Sequence, residues 1–193
     1  KKRGYKKIYF LNYKDNIRKI ENIYKKIKPE YIFLTFADEG GIEYNQKFPV
    51  DLMNSEINSL IKFISTSYKY NVKKLIYFAS SCVYPKIFNR KLSTDLILSG
   101  KLEQSNLHYA SSKIMGMNLC DAYNRQYNTS FITVIPSNYF GPYDHFILNY
   151  SHVISDLIIK FHDAKINNKK KVIVWGSGKP IRDFIYIDDL AKA

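Results

Sequence analysis

A tyrosine and a lysine that could together move a proton stand four residues apart, at Tyr109 and Lys113. On a helix, this spacing places both side chains on one face. There the lysine ammonium would favour the phenolate form of the tyrosine. Such a tyrosine can protonate a carbonyl oxygen as a hydride arrives, or can take a proton from an alcohol. The pair therefore predicts proton transfer in a redox reaction.

The same spacing occurs at Tyr24 with Lys28 and at Tyr70 with Lys74, so spacing alone is weak evidence in this tyrosine- and lysine-rich chain. Tyr109 differs in two respects. The predicted helix that it opens is rich in small residues, and a hydroxyl-rich segment lies before it in the chain. We therefore interpret the other two pairs as coincidences of composition.

Three segments rich in Ser, Asn, Gly and Pro follow predicted strands, at residues 80–85, 137–142 and 176–183. Each one alone is more often an ordinary turn, because these residues are the common turn formers. In parallel sheets, however, ligands bind beyond the carboxyl ends of the strands. Three such segments at the ends of strands in one sheet favour a binding site there.

Apolar periodicity predicts the elements that must position these segments. β-rich runs predict strands over residues 7–11, 31–36, 75–79, 131–136 and 172–175. The run at 31–36 is continuously apolar, which is typical of a strand covered on both faces. Helical spacing predicts helices over 17–28, 49–70, 109–127 and 152–162, and another that begins near Asp188. This alternation predicts an α/β fold with a twisted parallel sheet and right-handed crossovers.

Composition limits the class of protein. The chain has 193 residues, 46% of them hydrophobic, which suits one sizeable core and is too short for two ordinary domains. No run approaches the roughly 18 apolar residues of a membrane span, and no apolar stretch follows the basic residues 1–7 as it would in a secretion signal. Cys82 and Cys120 lack any metal-ligand spacing, so we expect no metal and a reducing compartment, the cytoplasm.

The formal charge of +13 raises the question of nucleic acid. The lysines are scattered in small clusters and are also frequent in segments that predict ordinary strands and helices. We therefore expect no nucleic-acid partner. A milder effect remains open, in which the positive field attracts an anionic nucleotide ligand.

Four motifs taken together resemble the extended short-chain dehydrogenase/reductases. They are residues 80–85 (SSCVYP), the Tyr109 and Lys113 pair, residues 136–142 (PSNYFGP) and residues 175–184 (WGSGKPIRDF). Residues 118–127 and 149–162 are similar to the branch that epimerises GDP-4-keto-6-deoxymannose at C3 and C5 and reduces it at C4. The resemblance implies a Rossmann-like, doubly wound parallel sheet, NADP(H) as cofactor and a GDP-sugar as substrate. It also implies a homodimer formed through the helices at 49–70 and 109–127.

The resemblance further implies a role for individual residues. Tyr109 would protonate the C4 oxygen, Lys113 would tune it and hold the nicotinamide ribose, and Ser80 would hydrogen-bond the same oxygen. Cys82 and His152 would be the acid/base pair of the epimerisations. The cofactor would be lined by Phe78, Ala79, Ser80, Ser81, Lys113, Pro136, Ser137, Asn138, Tyr139 and His152. The nucleotide diphosphate would be held by Lys160, Trp175 and Arg182.

Plainer interpretations of some of these residues stay open. Cys82 is also compatible with a small buried hydrophobe, His152 with a residue that merely begins a helix, and Trp175 with packing. Cys120 we assign to the core.

The chain also departs from the family pattern. Members begin with a Gly-x-x-Gly-x-x-Gly turn that binds pyrophosphate, whereas only Gly4 precedes Gly40 here. Residues 35–39 (TFADE) stand where the family has small residues. We therefore expect residues 1–193 to be a partial Rossmann-like domain, inactive alone, in which a substrate lobe begins near residue 145.

Two alternative functions remain open at this point. One is another nucleotide-sugar epimerase or dehydratase of the same family, although dehydratases usually carry Thr-Asp-Glu where this chain has Ser81 and Cys82. The other is an inactive, Rossmann-like binding module.

Overall fold

The computed structural model describes residues 7–36, 41–86, 91–144, 146–147, 151–174, 176–179 and 181–193. Its helices are α1 (Ile17–Ile27), α2 (Gly41–Lys47), α3 (Pro49–Lys69), α4 (Leu107–Tyr127), α5 (Val153–Ile166) and α6 (Ile187–Lys192). Its strands are β1 (Tyr31–Leu34), β2 (Lys74–Phe78), β3 (Phe131–Val134), β4 (Asn138–Phe140) and β5 (Phe184–Tyr186). The helices predicted from periodicity are confirmed, and α2 is an additional short helix that the periodicity did not indicate.

The central sheet is parallel, with the strands in the order β1-β2-β3. Its register pairs Leu34 with Tyr77 and Leu75 with Phe131. These four side chains are buried in one core with residues of α1, α3 and α4, such as Ile20. The predicted α/β fold with a parallel sheet is therefore confirmed.

The prediction that residues 31–36 are covered on both faces is wrong. Burial alternates along β1, and the side chains of Tyr31 and Phe33 are 51% and 62% exposed. Ile132, which lies on the same sheet face in β3, is 41% exposed. Because α1, α3 and α4 share one core with the other face, the described residues leave this second face largely open.

Two predicted strands do not form. Residues 7–11 and 172–174 have no regular structure, and Phe10 and Ile173 are 97% and 81% exposed. A strand needs a neighbour for its backbone groups, and among the described residues neither run has one. Trp175, the last residue of the second run, lies outside the described residues.

A second parallel sheet forms instead from part of the turn-rich segment at 137–142 and from the residues that follow the segment at 176–183. In it, β4 pairs with β5, and Asn138 lies opposite Phe184. Asn138 also donates its backbone and side-chain N–H groups to the carbonyl oxygen of Asp183, at 3.3 and 3.1 Å. This sheet brings the segment after β3 close to the segment that contains Arg182.

The α4 helix lies against β2 at a position where only glycine fits. A Cβ atom at Gly116 would lie 2.6 Å from the ring of Tyr77, closer than nonbonded carbon atoms approach. The hydroxyl of Tyr77 in turn donates to the carbonyl oxygen of Lys113 at 3.5 Å. Gly116 therefore sets the distance between α4 and the sheet, and with it the position of the first turns of α4.

Replacing Gly116 with alanine tests this close approach. Glycine to alanine in a helix interior normally stabilises by about 0.5–1 kcal/mol. At Gly116 we expect the opposite sign, a loss of about 1–3 kcal/mol, because the added methyl group overpacks the contact with Tyr77. Urea denaturation measures the difference. Asn118→Ala, at an exposed position of the same helix, is the matched control, and equal changes in both variants would contradict the contact.

Candidate active site

The carboxyl ends of β2 and β3 lie side by side. The amide N–H of Ala79 donates to the carbonyl oxygen of Val134 at 2.9 Å, which extends the pairing of the strands to their ends. The residues predicted to line the cofactor follow directly. Phe78, Ser80, Ser81 and Ser137 are partly buried, Ala79 and Pro136 are buried, and Asn138 and Tyr139 are exposed in β4.

A tight turn after β2 presents Ser80 and Cys82. Ser81–Val83 form one turn of 3-10 helix, which the Ser80 hydroxyl oxygen caps by accepting the N–H of Cys82 at 3.4 Å. This bond uses Ser80 as an acceptor and leaves its hydroxyl hydrogen for another partner. The partly buried thiol of Cys82 accepts a hydrogen bond from the side-chain amide of Asn106, with 3.8 Å between Nδ2 and Sγ.

Tyr109 and Lys113 lie on one face of α4, as their spacing predicts. Both side chains are buried, with exposed fractions of 5% and 1%. The Lys113 Nζ atom lies 5.3 Å from the centre of the Tyr109 ring. The lysine and the tyrosine are therefore adjacent, in an environment from which water is largely excluded.

The Lys113 ammonium is held by partners on two other elements. Its Nζ atom lies 3.1 Å from Glu56 Oε2 in α3, and both side chains of this ion pair are at most 2% exposed. It also donates to the carbonyl oxygen of Phe36, after β1, at 3.3 Å. These bonds account for two of its three N–H donors. The lysine thus links α3, α4 and the end of β1.

Tyr24, from one of the two other tyrosine–lysine pairs, and the second cysteine, Cys120, belong to the core. The Tyr24 hydroxyl is buried against Ser67 Oγ at 3.2 Å, and burial raises the pKa of Tyr24 to about 12. Burial likewise raises the pKa of the Cys120 thiol to about 11, partly offset by a hydrogen bond from Thr133. Neither side chain is placed for proton transfer, and the assignment of Cys120 to the core is confirmed.

The remaining predicted residues lie on α5 and near β5. His152 precedes α5 and is about half exposed, with its Nδ1 atom 3.8 Å from Asp144 Oδ1. Lys160 forms an ion pair with Asp156 one turn earlier in α5, at 2.5 Å. The exposed Arg182 donates to the backbone carbonyl oxygen of Ile181 at 3.0 Å. Local partners therefore hold both predicted diphosphate-binding cations.

Two other kinds of site were searched for in the described part of the chain. It contains no group of three or more His, Cys, Asp or Glu side chains placed to hold a metal ion. None of its helices is both long enough and apolar enough to cross a membrane.

The site at the strand ends, with its adjacent tyrosine and lysine, agrees with a comparison of the sequence with known protein families. Residues 2–193 match the model of the NAD dependent epimerase/dehydratase family. The chain belongs to this family. Within it, the chain is 37% identical over 176 residues to GDP-L-fucose synthase from Escherichia coli, covering 91% of this chain and 55% of that protein. It is 38% identical over 174 residues to GDP-L-fucose synthase 1 from Arabidopsis thaliana, covering 90% and 54%.

Solved structures of similar proteins agree with this epimerase-family fold. A GDP-L-fucose synthetase from Naegleria fowleri bound to NADP superposes with a TM-score of 0.84 at 31% identity, covering 95% of this chain and 61% of that one. A GDP-6-OMe-4-keto-L-xylo-heptose reductase from C. jejuni gives 0.89 at 29%, covering 99% and 64%. The chain spans about half the length of the curated relatives it matches.

The epimerase-family site contains residues that the sequence analysis missed. Glu56 is the main one, and the sequence held a signal for it. Along α3 it stands between Leu52 and Leu60 at intervals of four, so a carboxylate interrupts an apolar stripe. A buried carboxylate requires a cation or several hydrogen-bond donors, and here the cation is Lys113. Asn106, which contacts Cys82, carried no such signal.

The buried ion pair predicts strong coupling between two substitutions. Glu56→Gln and Lys113→Met should each cost about 3–5 kcal/mol of unfolding free energy, because each leaves one buried charge without its partner. The double variant should recover most of this loss, since it removes both charges. Urea denaturation of the four proteins gives the coupling energy.

The exposed pair Lys69 and Glu21 provides a matched control cycle, at 2.6 Å but with the lysine 59% exposed. Its coupling should be much smaller, because solvent screens exposed pairs. Additive effects of the substitutions at Glu56 and Lys113 would contradict the ion pair.

Proposed function

We propose that the protein to which this chain belongs converts GDP-4-keto-6-deoxymannose to GDP-L-fucose, by epimerisation at C3 and C5 and NADPH-dependent reduction at C4. One observation carries this proposal. The turn that presents Ser80 and Cys82 lies against α4, whose first turns carry Tyr109 and Lys113. A reduction site and an acid/base thiol are thereby held on adjacent elements. The names of the relatives support the same activity.

NADP(H) is the cofactor that we propose, since the Naegleria fowleri relative is described as bound to NADP. When bound, the cofactor supplies the hydride for C4. We propose that its ribose and nicotinamide portion lies at the edge formed by the ends of β2 and β3, with Phe78, Ala79, Ser80 and Ser81 on one strand end. Pro136, Ser137, Asn138 and Tyr139 would line the other, together with Lys113 and His152. No Gly-x-x-Gly-x-x-Gly turn occurs in this sequence, so the fit does not extend to the pyrophosphate.

Reduction at C4 needs a proton for the oxygen that becomes a hydroxyl. In the proposed mechanism Tyr109 donates this proton, and Lys113 stabilises the phenolate that remains. The Ser80 hydroxyl hydrogen, which the Cys82 N–H bond does not use, is available to hydrogen-bond the same oxygen. An oxygen held by two donors is polarised before the reaction, which favours the transition state.

Epimerisation beside a ketone begins with the removal of a proton from carbon. The electron pair left by the C–H bond moves into the enolate, whose negative charge rests on the C4 oxygen. Cys82 and His152 act as the acid/base pair: one takes the proton from one face of the sugar, and the other returns a proton to the opposite face. We propose that Lys160, Trp175 and Arg182 hold the nucleotide diphosphate. The two cationic side chains suit its phosphate oxygens.

A second candidate function has specific support. The Campylobacter jejuni neighbour with a TM-score of 0.89 is described as a reductase of a GDP-4-keto-heptose. A C4 reductase acting on a related GDP-keto sugar would use Ser80, Tyr109 and Lys113 in the same way. It would not need Cys82 and His152 as an acid/base pair, so proton exchange at C3 and C5 separates the two functions.

We also propose a cytoplasmic homodimer assembled through α3 and α4. Val50, Ile61 and Tyr68 are separated by 11 and 7 residues, so they lie on one face of α3, and they are 66%, 49% and 39% exposed. The ring of Tyr68 stacks on that of Tyr127 in α4, with the ring centres 4.3 Å apart. This face, which crosses from α3 to α4, is suited to burial against a second copy.

Sedimentation velocity tests the dimer. We expect the full-length protein to sediment as a dimer at micromolar concentration, and Ile61→Asp to shift it to a monomer, because a carboxylate in an apolar interface is costly. Lys25→Asp, on the exposed side of α1, is the control and should remain dimeric. A monomeric wild-type protein would rule out this assembly.

The two half-reactions can be separated in the full-length protein. Deuterium uptake from heavy water into the keto sugar, with oxidised cofactor present so that reduction cannot compete, reports on epimerisation alone. Wild type should take up label at C3 and C5. Cys82→Ser and His152→Gln should lose most of the label but still oxidise NADPH with the keto sugar. Tyr109→Phe should lower turnover by at least ~100-fold while GDP-sugar binding survives.

Cys120→Ser is the matched control for the thiol, because Cys120 is buried in the core. Normal uptake in both the Cys82 and the His152 variants would place the acid/base pair elsewhere. NADPH oxidation by a wild type that takes up no label would favour the reductase alternative. The absence of both activities would favour the inactive binding module.

A further inference from the structure

Asn106 ends a turn of 3-10 helix, Gln104–Asn106, that runs directly into α4. Its side chain makes no capping hydrogen bond to the backbone of α4. Its amide donates instead to Cys82 Sγ at 3.8 Å. The Asn106 amide is thus engaged by the thiol and not by the backbone of the helix.

A second asparagine fixes the orientation of this amide. Asn45 in α2 donates from Nδ2 to Asn106 Oδ1 at 3.3 Å. With its oxygen engaged in this way, Asn106 turns its NH2 group towards the sulfur. Asn45 is only 6% exposed, and its own Oδ1 atom has no hydrogen-bond partner among the described residues.

We propose that Asn106 is a positioning residue that stabilises the Cys82 thiolate through its side-chain amide, with Asn45 holding that amide in place. This inference rests on the proposed acid/base role of Cys82. An amide donor favours the thiolate over the thiol, because a hydrogen bond to a charged acceptor is stronger than one to a neutral acceptor. The amide itself has no proton to exchange in the reaction, so Cys82 remains the group that titrates.

The pair also suits a sulfur that must change its protonation state. If both amides rotate by half a turn, Asn106 Oδ1 faces the sulfur and accepts the hydrogen of a neutral thiol. Asn106 Nδ2 then donates to Asn45 Oδ1, the buried oxygen that has no partner among the described residues before the rotation. The two asparagines thus provide a donor for the thiolate and an acceptor for the thiol. In both states a hydrogen bond joins the Asn45 amide in α2 to the Asn106 amide before α4.

Alkylation of the two cysteines tests the proposal without any turnover. Iodoacetamide reacts with thiolates, and mass spectrometry of the peptides reports Cys82 and Cys120 separately. Asn106→Leu keeps the size of the side chain but removes the donor. We expect alkylation of Cys82 at neutral pH to slow by about 10-fold, with the half-maximal rate reached at higher pH. The unfolding midpoint should fall modestly, because the buried Asn45 amide loses its acceptor, so the reactivity of Cys120 must show that the fold stays closed.

Controls separate this effect from loosening of the fold. Cys120, 1% exposed, should stay unreactive in every variant. If Cys120 becomes reactive in Asn106→Leu, the near-isosteric variant Asn106→Asp is used in place of Asn106→Leu. In Asn106→Asp the carboxylate beside the sulfur should slow alkylation of Cys82 at least as much. Asn45→Ala should produce part of the effect, and Asn118→Leu, on the exposed face of α4, none. An unchanged pH profile of Cys82 in both Asn106 variants would overturn the proposal.

The outcome is distinguishable from failure of the proposed function. Slower alkylation in the Asn106 variants, together with normal deuterium uptake in Cys82→Ser, would establish the contact and reject the acid/base role. Loss of uptake in Cys82→Ser with an unchanged alkylation profile in the Asn106 variants would support the role and reject the positioning by Asn106.

Discussion

The geometry of the candidate site depends on one buried ion pair, between Lys113 and Glu56. Two charges withdrawn from water carry a large desolvation cost, which only close contact and further hydrogen bonds offset. The 3.1 Å contact and the bond to the Phe36 carbonyl oxygen provide these. Because the partners lie on α3, α4 and the end of β1, the pair fixes three elements relative to one another. Tyr109, one turn from Lys113, is positioned as a result.

The position of α4 also determines which groups surround the Cys82 thiol. Gly116 lets the helix approach the Tyr77 ring more closely than any other residue would allow, and so sets its height above the sheet. At the start of the same helix, Asn106 reaches Cys82. The residues proposed for proton transfer at C4 therefore lie on the same helix that contacts the thiol proposed for the epimerisations. Burial raises the pKa of Tyr77, and the neighbouring Glu56 carboxylate raises it further, so Tyr77 stays protonated and donates to the Lys113 carbonyl oxygen.

The part of the chain that is similar to GDP-L-fucose synthases contains all the residues proposed for proton transfer. Ser80, Cys82, Tyr109 and Lys113 are placed by the sheet and by two helices packed on it. Lys160 and Arg182 lie outside this core and are engaged by local partners, an aspartate and a backbone carbonyl. Diphosphate binding would require both to exchange these partners. In this chain the groups proposed for proton transfer are thus held in place by the core, whereas the cations proposed for the nucleotide are held by local partners.

The sequence by itself determined the parallel α/β order, the long helices and the shared face of Tyr109 and Lys113, because periodicity and spacing are local properties of a chain. The strands predicted at residues 7–11 and 172–174 and the two-sided burial predicted at 31–36 were wrong, because a strand and its burial depend on neighbours that the run itself does not encode. The charge partner of Lys113 comes from 57 residues away, and the donor to Cys82 from 24. Only the tertiary structure decided that Glu56 pairs with Lys113 and Asn106 with Cys82, since both contacts exist only after α3 and α4 have packed on the sheet.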